Sequence, residues 1–144
     1  MTARISVVLT AHNASGTLTR CLDSLKEQEG WDDGAMEVIV VDDRSTDGTS
    51  EVARGRGLSS LAVVRLSEYT DPTLTARQVA LDAGIRRAGG DVVLLLDADA
   101  RVAPDWSAAL AAPVVHGTAD LVAGGVAFDP QTPGWKARAV ASLQ

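Results

Sequence analysis

Asp97 and Asp99 stand one residue apart, and Asp42, Asp43 and Asp47 crowd into a single short stretch, "DDRSTD". Carboxylates so close repel one another and raise each other's pKa, and a divalent cation relieves that. Oxygen-only ligands favour Mg²⁺ or Mn²⁺ over zinc. One or two carboxylates commonly hold Mg²⁺ together with substrate phosphates. A cation at Asp97 and Asp99 would let an acidic site accept an anionic diphosphate, and would act as a Lewis acid when that diphosphate departs. Each residue taken alone has a plainer explanation. A lone D-x-D pair is equally a solvated loop, and "DDRSTDGT" equally a capped turn. His12 alone reads as a surface or packing residue, Arg77 as a solvated helix charge, and Trp31, Trp106 and Trp135 as packing residues. Cys21 sits on an apolar stripe and reads as core. Position tips the balance, because each acidic cluster directly follows an apolar run.

Those runs read as strands at Ile5–Leu9, Val38–Val41, Leu61–Leu66, Val92–Leu96 and Leu121–Val126. Helical patterns separate them. Leu18, Cys21, Leu22 and Leu25 stand at i, i+3, i+4 and i+7, behind a candidate cap at Ser15. Ser45 or Thr46 would cap a short helix running to Gly55. A longer helix is expected from Thr73 to Ala88, with Leu81, Gly84, Ile85 and Ala88 on one face and Gly89-Gly90 ending it. Pro104 suits the first position of another helix. Strands alternating with helices predict a parallel sheet covered on both faces, a three-layer α/β/α Rossmann-like arrangement. In such sheets ligands bind beyond the carboxyl ends of the strands. "TAHN", "DDRSTDGT" and "DADA" then lie at one edge.

The 144 residues suffice for one domain with its own core, and 46% apolar with 22% charged residues is an ordinary globular composition. A net charge of −6 disfavours nucleic acid as a partner. The single cysteine excludes an internal disulfide and suits a reducing, cytoplasmic setting. No apolar stretch approaches a membrane span, so membrane association is expected only through regions outside this chain. Rival motifs fail on their residues. No G-x-G-x-x-G follows the first strand, and no P-loop is present. "DRSTDG" opens like an EF-hand loop, but its twelfth position is Arg54 where glutamate is required. Two histidines and one cysteine, widely spaced, make no zinc pattern. A Ser-His-Asp triad stays open on composition, without a G-x-S-x-G elbow to support it.

Four segments in order resemble the inverting glycosyltransferases of family 2, which have the GT-A fold. "ISVVLTAHN" is similar to that family's opening strand, "CLDSLKEQ" to its first helix, and "EVIVVDDRSTDGT" to its most recognisable segment. "ARQVALDAGIRRAGGDVVLLLDADA" resembles the stretch ending in the metal-binding D-x-D, and "DLVAGGVAF" the strand after it. The resemblance implies residue roles. Thr10, His12 and Asn13 would line the nucleotide pocket, with His12 where the family often has tyrosine. Asp43 would accept a hydrogen bond from the base, supported by Asp42. Arg77 would meet phosphate or base. Asp97 would approach ribose and metal, and Asp99 would coordinate the cation, Mg²⁺ or Mn²⁺. The implied donor is a nucleotide-diphosphate sugar, a UDP-sugar foremost.

Asp82 departs from the pattern, standing where many relatives have asparagine. The family's general base lies in a second half, and neither Asp105 nor Asp129 has its context. Residues 1–144 are therefore expected to form a single nucleotide-sugar-binding domain lacking the C-terminal acceptor and catalytic half, with "TPGWKARAVASLQ" opening that half. Three functions compete: inverting, metal-dependent sugar transfer; a nucleotide-sugar-binding module without turnover; and a metal-dependent phosphohydrolase with Asp97 as nucleophile. Arg101, where a phosphohydrolase needs Thr or Val, weighs against the third. An exposed sheet edge would invite homo-oligomerisation.

Overall fold

The computed structural model describes residues 3–31, 34–58, 60–67 and 73–126. Its elements run β1 (Ile5–Ala11), α1 (Ser15–Lys26), β2 (Met36–Asp43), α2 (Thr49–Gly55), β3 (Leu61–Leu66), α3 (Ala76–Arg87), β4 (Val92–Asp97) and α4 (Trp106–Val115). The four strands are parallel, in the order β3-β2-β1-β4. The α/β expectation therefore holds, with helices on both faces of the sheet.

Alternation along each strand builds two cores. Val7, Leu9, Val38, Val40 and Leu94 point to one face, where they meet Leu18, Cys21, Leu22 and Leu25 of α1, Ala53 of α2 and Ala111 of α4. Trp31 and Trp106 pack against this cluster from outside, as packing residues should. Val8, Ile39 and Val41 point to the other face, beneath Ala80 of α3. β1 and β2, at the centre, are buried on both faces and so read as continuous apolar runs.

Several expectations need correction. The buried line of α3 is Ala80 and Gly84, while Ile85 is exposed. The helix lies too close to the sheet for a larger side chain: a Cβ on Gly84 would stand 2.3 Å from Val8 Cγ1. The helix itself begins at Ala76, where Thr75 Oγ1 accepts a hydrogen bond from the Gln78 amide and Gln78 Oε1 accepts one from the Thr75 amide, a reciprocal cap. Pro104 lies in the turn before α4, which begins at Trp106. Leu121–Val126 is not a strand. No strand pairs with it among the described residues, and Leu121 and Val126 stand exposed. An apolar run needs a partner ladder to become a strand, and the β4 neighbour found here is β1 alone. Val93 and Leu95 of β4 are correspondingly exposed on the α3 side. Trp135, Asp129 and the "TPGWKARAVASLQ" segment lie outside the described residues. No helix among the described residues is long and apolar enough to cross a membrane.

Candidate functional site

The chain runs from β1 outward to β2 and β3, then returns to place β4 on the other side of β1. That reversal is a topological switch point, where open α/β sheets form ligand clefts. Thr10 pairs with Asp97 across β1 and β4, and Ala11 with Asp42 across β1 and β2. The three polar strand ends are therefore adjacent. A cleft of about 570 Å³ opens there, lined by Thr10, His12, Asn13, Thr17, Asp43, Arg77, Asp97 and Asp99, with Ala76, Ala80 and Ala98 filling its walls. The volume suits a small-molecule ligand.

Six of the seven residues expected to bind nucleotide line this cleft, as does Asp99. Asp42 does not. It is buried behind the cleft, where its carboxylate accepts hydrogen bonds from the Ser45 amide, at 2.9 Å, and from the Ser50 hydroxyl. Burial pushes its pKa up, but these bonds and the Arg65 charge outweigh it, and the net displacement is downward. Asp42 therefore acts as a buried anchor for the loop that follows Asp43. The Asp43 carboxylate lies 3.2 Å from Arg44 Nε.

At the far side of the cleft Arg77 Nη1 donates to Asp97 Oδ1 at 2.5 Å. Both side chains are more than half exposed, so this pair adds little to stability and leaves the guanidinium facing the cleft. Cys21 donates to the Asp97 carbonyl at 3.7 Å from below. Burial, with the charges of Asp99 and Asp97, pushes its thiol up to about 12, so it is inert packing. Among the described residues no third histidine, cysteine or acid joins Asp97 and Asp99. Two carboxylates fit a hard cation that completes its shell with ligand oxygens and water. Asp82 is taken by Arg86 one helical turn on, away from any ligand role. Asp105 precedes α4 without capping it.

What sequence reasoning missed is how the first two strand-end loops hold each other. Asn13 and Arg44 take positive φ, at 47° and 55°. Left-handed Asn is tolerated because its short side chain bonds locally. The Asn13 amide donates to Ser45 Oγ, the Ala14 amide to Thr49 Oγ1 and the Ser15 amide to Asp47 Oδ2, at 2.9, 2.9 and 3.0 Å. Ser15 is thus not a cap. It is already helical, and α1 has no side-chain cap of its own because the other loop satisfies its first amides. Neither Ser45 nor Thr46 caps α2, which starts after left-handed Gly48. Asp47 serves both helices, its other oxygen accepting from the Thr49 amide and hydroxyl. Frequent Ser, Thr and Asp in "DDRSTDGT" were the available signal. Their assignment depends on the two left-handed residues, which no pattern announces.

The Thr49 hydroxyl, working against partial desolvation and aided by the Ser15 amide, holds the Asp47 carboxyl down at about 2, from 3.8. The folded value lies below the unfolded one, so this contribution to stability is complete above about pH 4 and is lost as pH falls towards 2. In urea unfolding between those limits, Asp47→Asn is expected to flatten the acid limb. An acid limb as steep as that of the unaltered protein would remove Asp47 from the account.

Comparison with known proteins settles the family. The family model described as glycosyl transferase family 2 matches residues 6–141. This chain belongs to that family. The family 2 chain is 28% identical over 124 residues to glycosyltransferase AglE of Haloferax volcanii, covering 86% of this chain and 40% of AglE. It is 39% identical over 97 residues to the amylovoran biosynthesis glycosyltransferase AmsB of Erwinia amylovora, covering 65% of this chain and 30% of AmsB. The chain thus spans two fifths or less of the length of these relatives. Among solved structures, TarS 1–349 of Staphylococcus aureus in complex with UDP-GlcNAc superposes with a TM-score of 0.62 at 30% identity, over 78% of this chain and 31% of TarS 1–349. The mannosyltransferase PcManGT of Pyrobaculum calidifontis, in complex with GDP-Man and Mn²⁺, gives 0.61 at 31% identity, over 73% and 30%. The family 2 glycosyltransferase chain therefore carries the GT-A type of α/β fold.

Proposed function

We propose that the cleft binds the nucleotide-diphosphate sugar of a metal-dependent, inverting glycosyl transfer, and that residues 1–144 form the donor-binding domain for it. The observation that carries this reading is the convergence of Asp43, His12, Arg77, Asp97 and Asp99 on one cleft at the switch point. Two similar structures hold a nucleotide sugar, one of them with Mn²⁺. Asp43 and His12, at the β1–β2 side, take the base, with Thr10 and Asn13 beside them. Arg77 and Asp97, at the β4 side, take the diphosphate end. Asp99 and Asp97 would hold the cation, Mg²⁺ or Mn²⁺, which when bound would supply Lewis-acid stabilisation of the departing diphosphate. Arg77 adds a fixed positive charge at the same end of the cleft. In the transfer, an acceptor oxygen bonds the anomeric carbon as the carbon–phosphate-oxygen bond breaks, and the acceptor proton passes to a base not assigned among these residues. Uridine is the base preferred here. The setting is the cytoplasm.

Calorimetric titration of the chain with UDP and with GDP, each with and without Mn²⁺, tests this. Binding strengthened by the cation is expected, with UDP the tighter. No binding of either nucleotide overturns the donor site, and metal-independent binding overturns the cation. A binding module without turnover is the second reading, favoured because no base is assigned among the described residues. Hydrolysis of a UDP-sugar by this chain would dismiss it.

A further inference from the structure

His12 has both ring nitrogens engaged. Nδ1 lies 2.6 Å from the Asp43 carbonyl oxygen, which only accepts, so Nδ1 carries the proton. Nε2 lies 3.4 Å from Asn13 Nδ2. The Asn13 amide cannot be reversed without loss, because its Oδ1 accepts from the Thr46 amide at 2.9 Å and faces the Thr46 hydroxyl at 3.4 Å. Its NH₂ group is therefore the end turned to His12, and Nε2 must be the acceptor. The chain of bonds runs from Thr46 through Asn13 and His12 to Asp43, and its last three members line the cleft.

We propose that Asn13 is a positioning residue that holds His12 as the neutral imidazole protonated at Nδ1, so that only the ring face is offered to a nucleotide base. This deepens the donor-binding reading and rests on it for the base alone. A ring with no free nitrogen contributes stacking, which every base accepts, and leaves discrimination between bases to Asp43. It also keeps positive charge out of the base end of the cleft. The charged groups on the elements around the ring are Asp43 at the end of β2 and Arg44 after it, Asp47 before α2, Arg77 on α3, and Asp97 and Asp99 at the end of β4. Asp47 is tied to Ser15 and Thr49, and Asp97 to Arg77.

Nitrogen-15 NMR of the histidine rings in the full chain tests the proposal without any ligand. The chain has two histidines, and exposed His116, after α4, serves as the internal control. His12 is expected to show a protonated Nδ1 and a bare Nε2. A bare Nδ1 overturns the proposal. Asn13→Asp tolerates the left-handed backbone and keeps an acceptor for Thr46, but presents a second acceptor to Nε2. In N13D at one fixed neutral pH the His12 Nε2 resonance is expected to move towards the protonated position, with the His116 resonances unmoved. An unmoved His12 Nε2 resonance in folded N13D overturns the positioning role, and failure of N13D to fold leaves the tautomer of the unaltered protein to decide. Addition of UDP with Mn²⁺ is expected to leave Nε2 unprotonated. Protonation there on binding overturns the face-only contact. Absence of nucleotide binding overturns the donor site while the tautomer stands.

Discussion

Asp99→Asn is expected to weaken UDP binding about tenfold or more in Mn²⁺, a loss of at least about 1.4 kcal/mol, while leaving binding in EDTA unchanged. The reasoning is one of charge and count. Two carboxylates, Asp97 and Asp99, line the β4 side of the cleft, and Asp97 already shares an oxygen with Arg77. Asp99 is thus the carboxylate with the most to give to a cation. Asparagine keeps its size and one oxygen but removes the charge that a hard divalent ion needs. The two arms of the measurement separate the explanations. Equal losses with and without Mn²⁺ would mean that Asp99 touches the nucleotide directly or shapes the cleft, and the cation assignment would fall. Asp97→Asn should differ from it by weakening both arms, because it also releases Arg77.

Gly84→Ala is expected to destabilise the fold by about 1–3 kcal/mol, the usual cost of overpacking a tight interior. For a chain of this size that lowers Tm by roughly 3–10 °C. The added Cβ would meet Val8 Cγ1 at 2.3 Å and Val41 Cγ2 at 3.0 Å. Both valines stand on the central strands, where neighbours on each side prevent retreat. Helix α3 must lift, and with it Ala76, Arg77 and Ala80 on the cleft wall. Nucleotide affinity should therefore fall along with stability. Calorimetric unfolding gives the first effect and nucleotide titration of the folded variant the second. A Tm unchanged or raised, as a helix-propensity gain alone would produce, would contradict the close packing.

The sheet was legible because β-branched runs bounded by turn residues have few other uses. The bounds of β3 coincide with the pattern. β1 and β2 extend past their apolar runs into Ala11 and Asp43, since ladder pairing carries polar residues along at a strand's carboxyl end. The cleft was legible for the same reason: parallel strands gather whatever follows them. Three things were not. The face of α3 was read only in part: Gly84 is buried and Ala88 packs on the cluster as expected, but periodicity rewards large apolar residues, whereas closeness of helix to sheet selects Ala80 and turns Ile85 outward. The run at Leu121–Val126 showed strand composition without a strand, because pairing is a property of neighbours. The roles of Ser45, Thr46, Asp47 and Thr49 were hidden by backbone angles at Asn13 and Arg44 that composition does not encode.

The exchange of hydrogen bonds between the β1–α1 and β2–α2 loops has a dynamic consequence. The first amides of α1 depend on Thr49 and Asp47, and the turn around Thr46 depends on Asn13. Withdrawing either loop strands donors on both, so neither can open at the cost of its own bonds alone. The β1–β2 side of the cleft behaves as one cooperative unit, while on the β4 side the Arg77–Asp97 pair, both side chains more than half exposed, rearranges at little cost. Rigidity and freedom are thus divided between the two ends of one cleft.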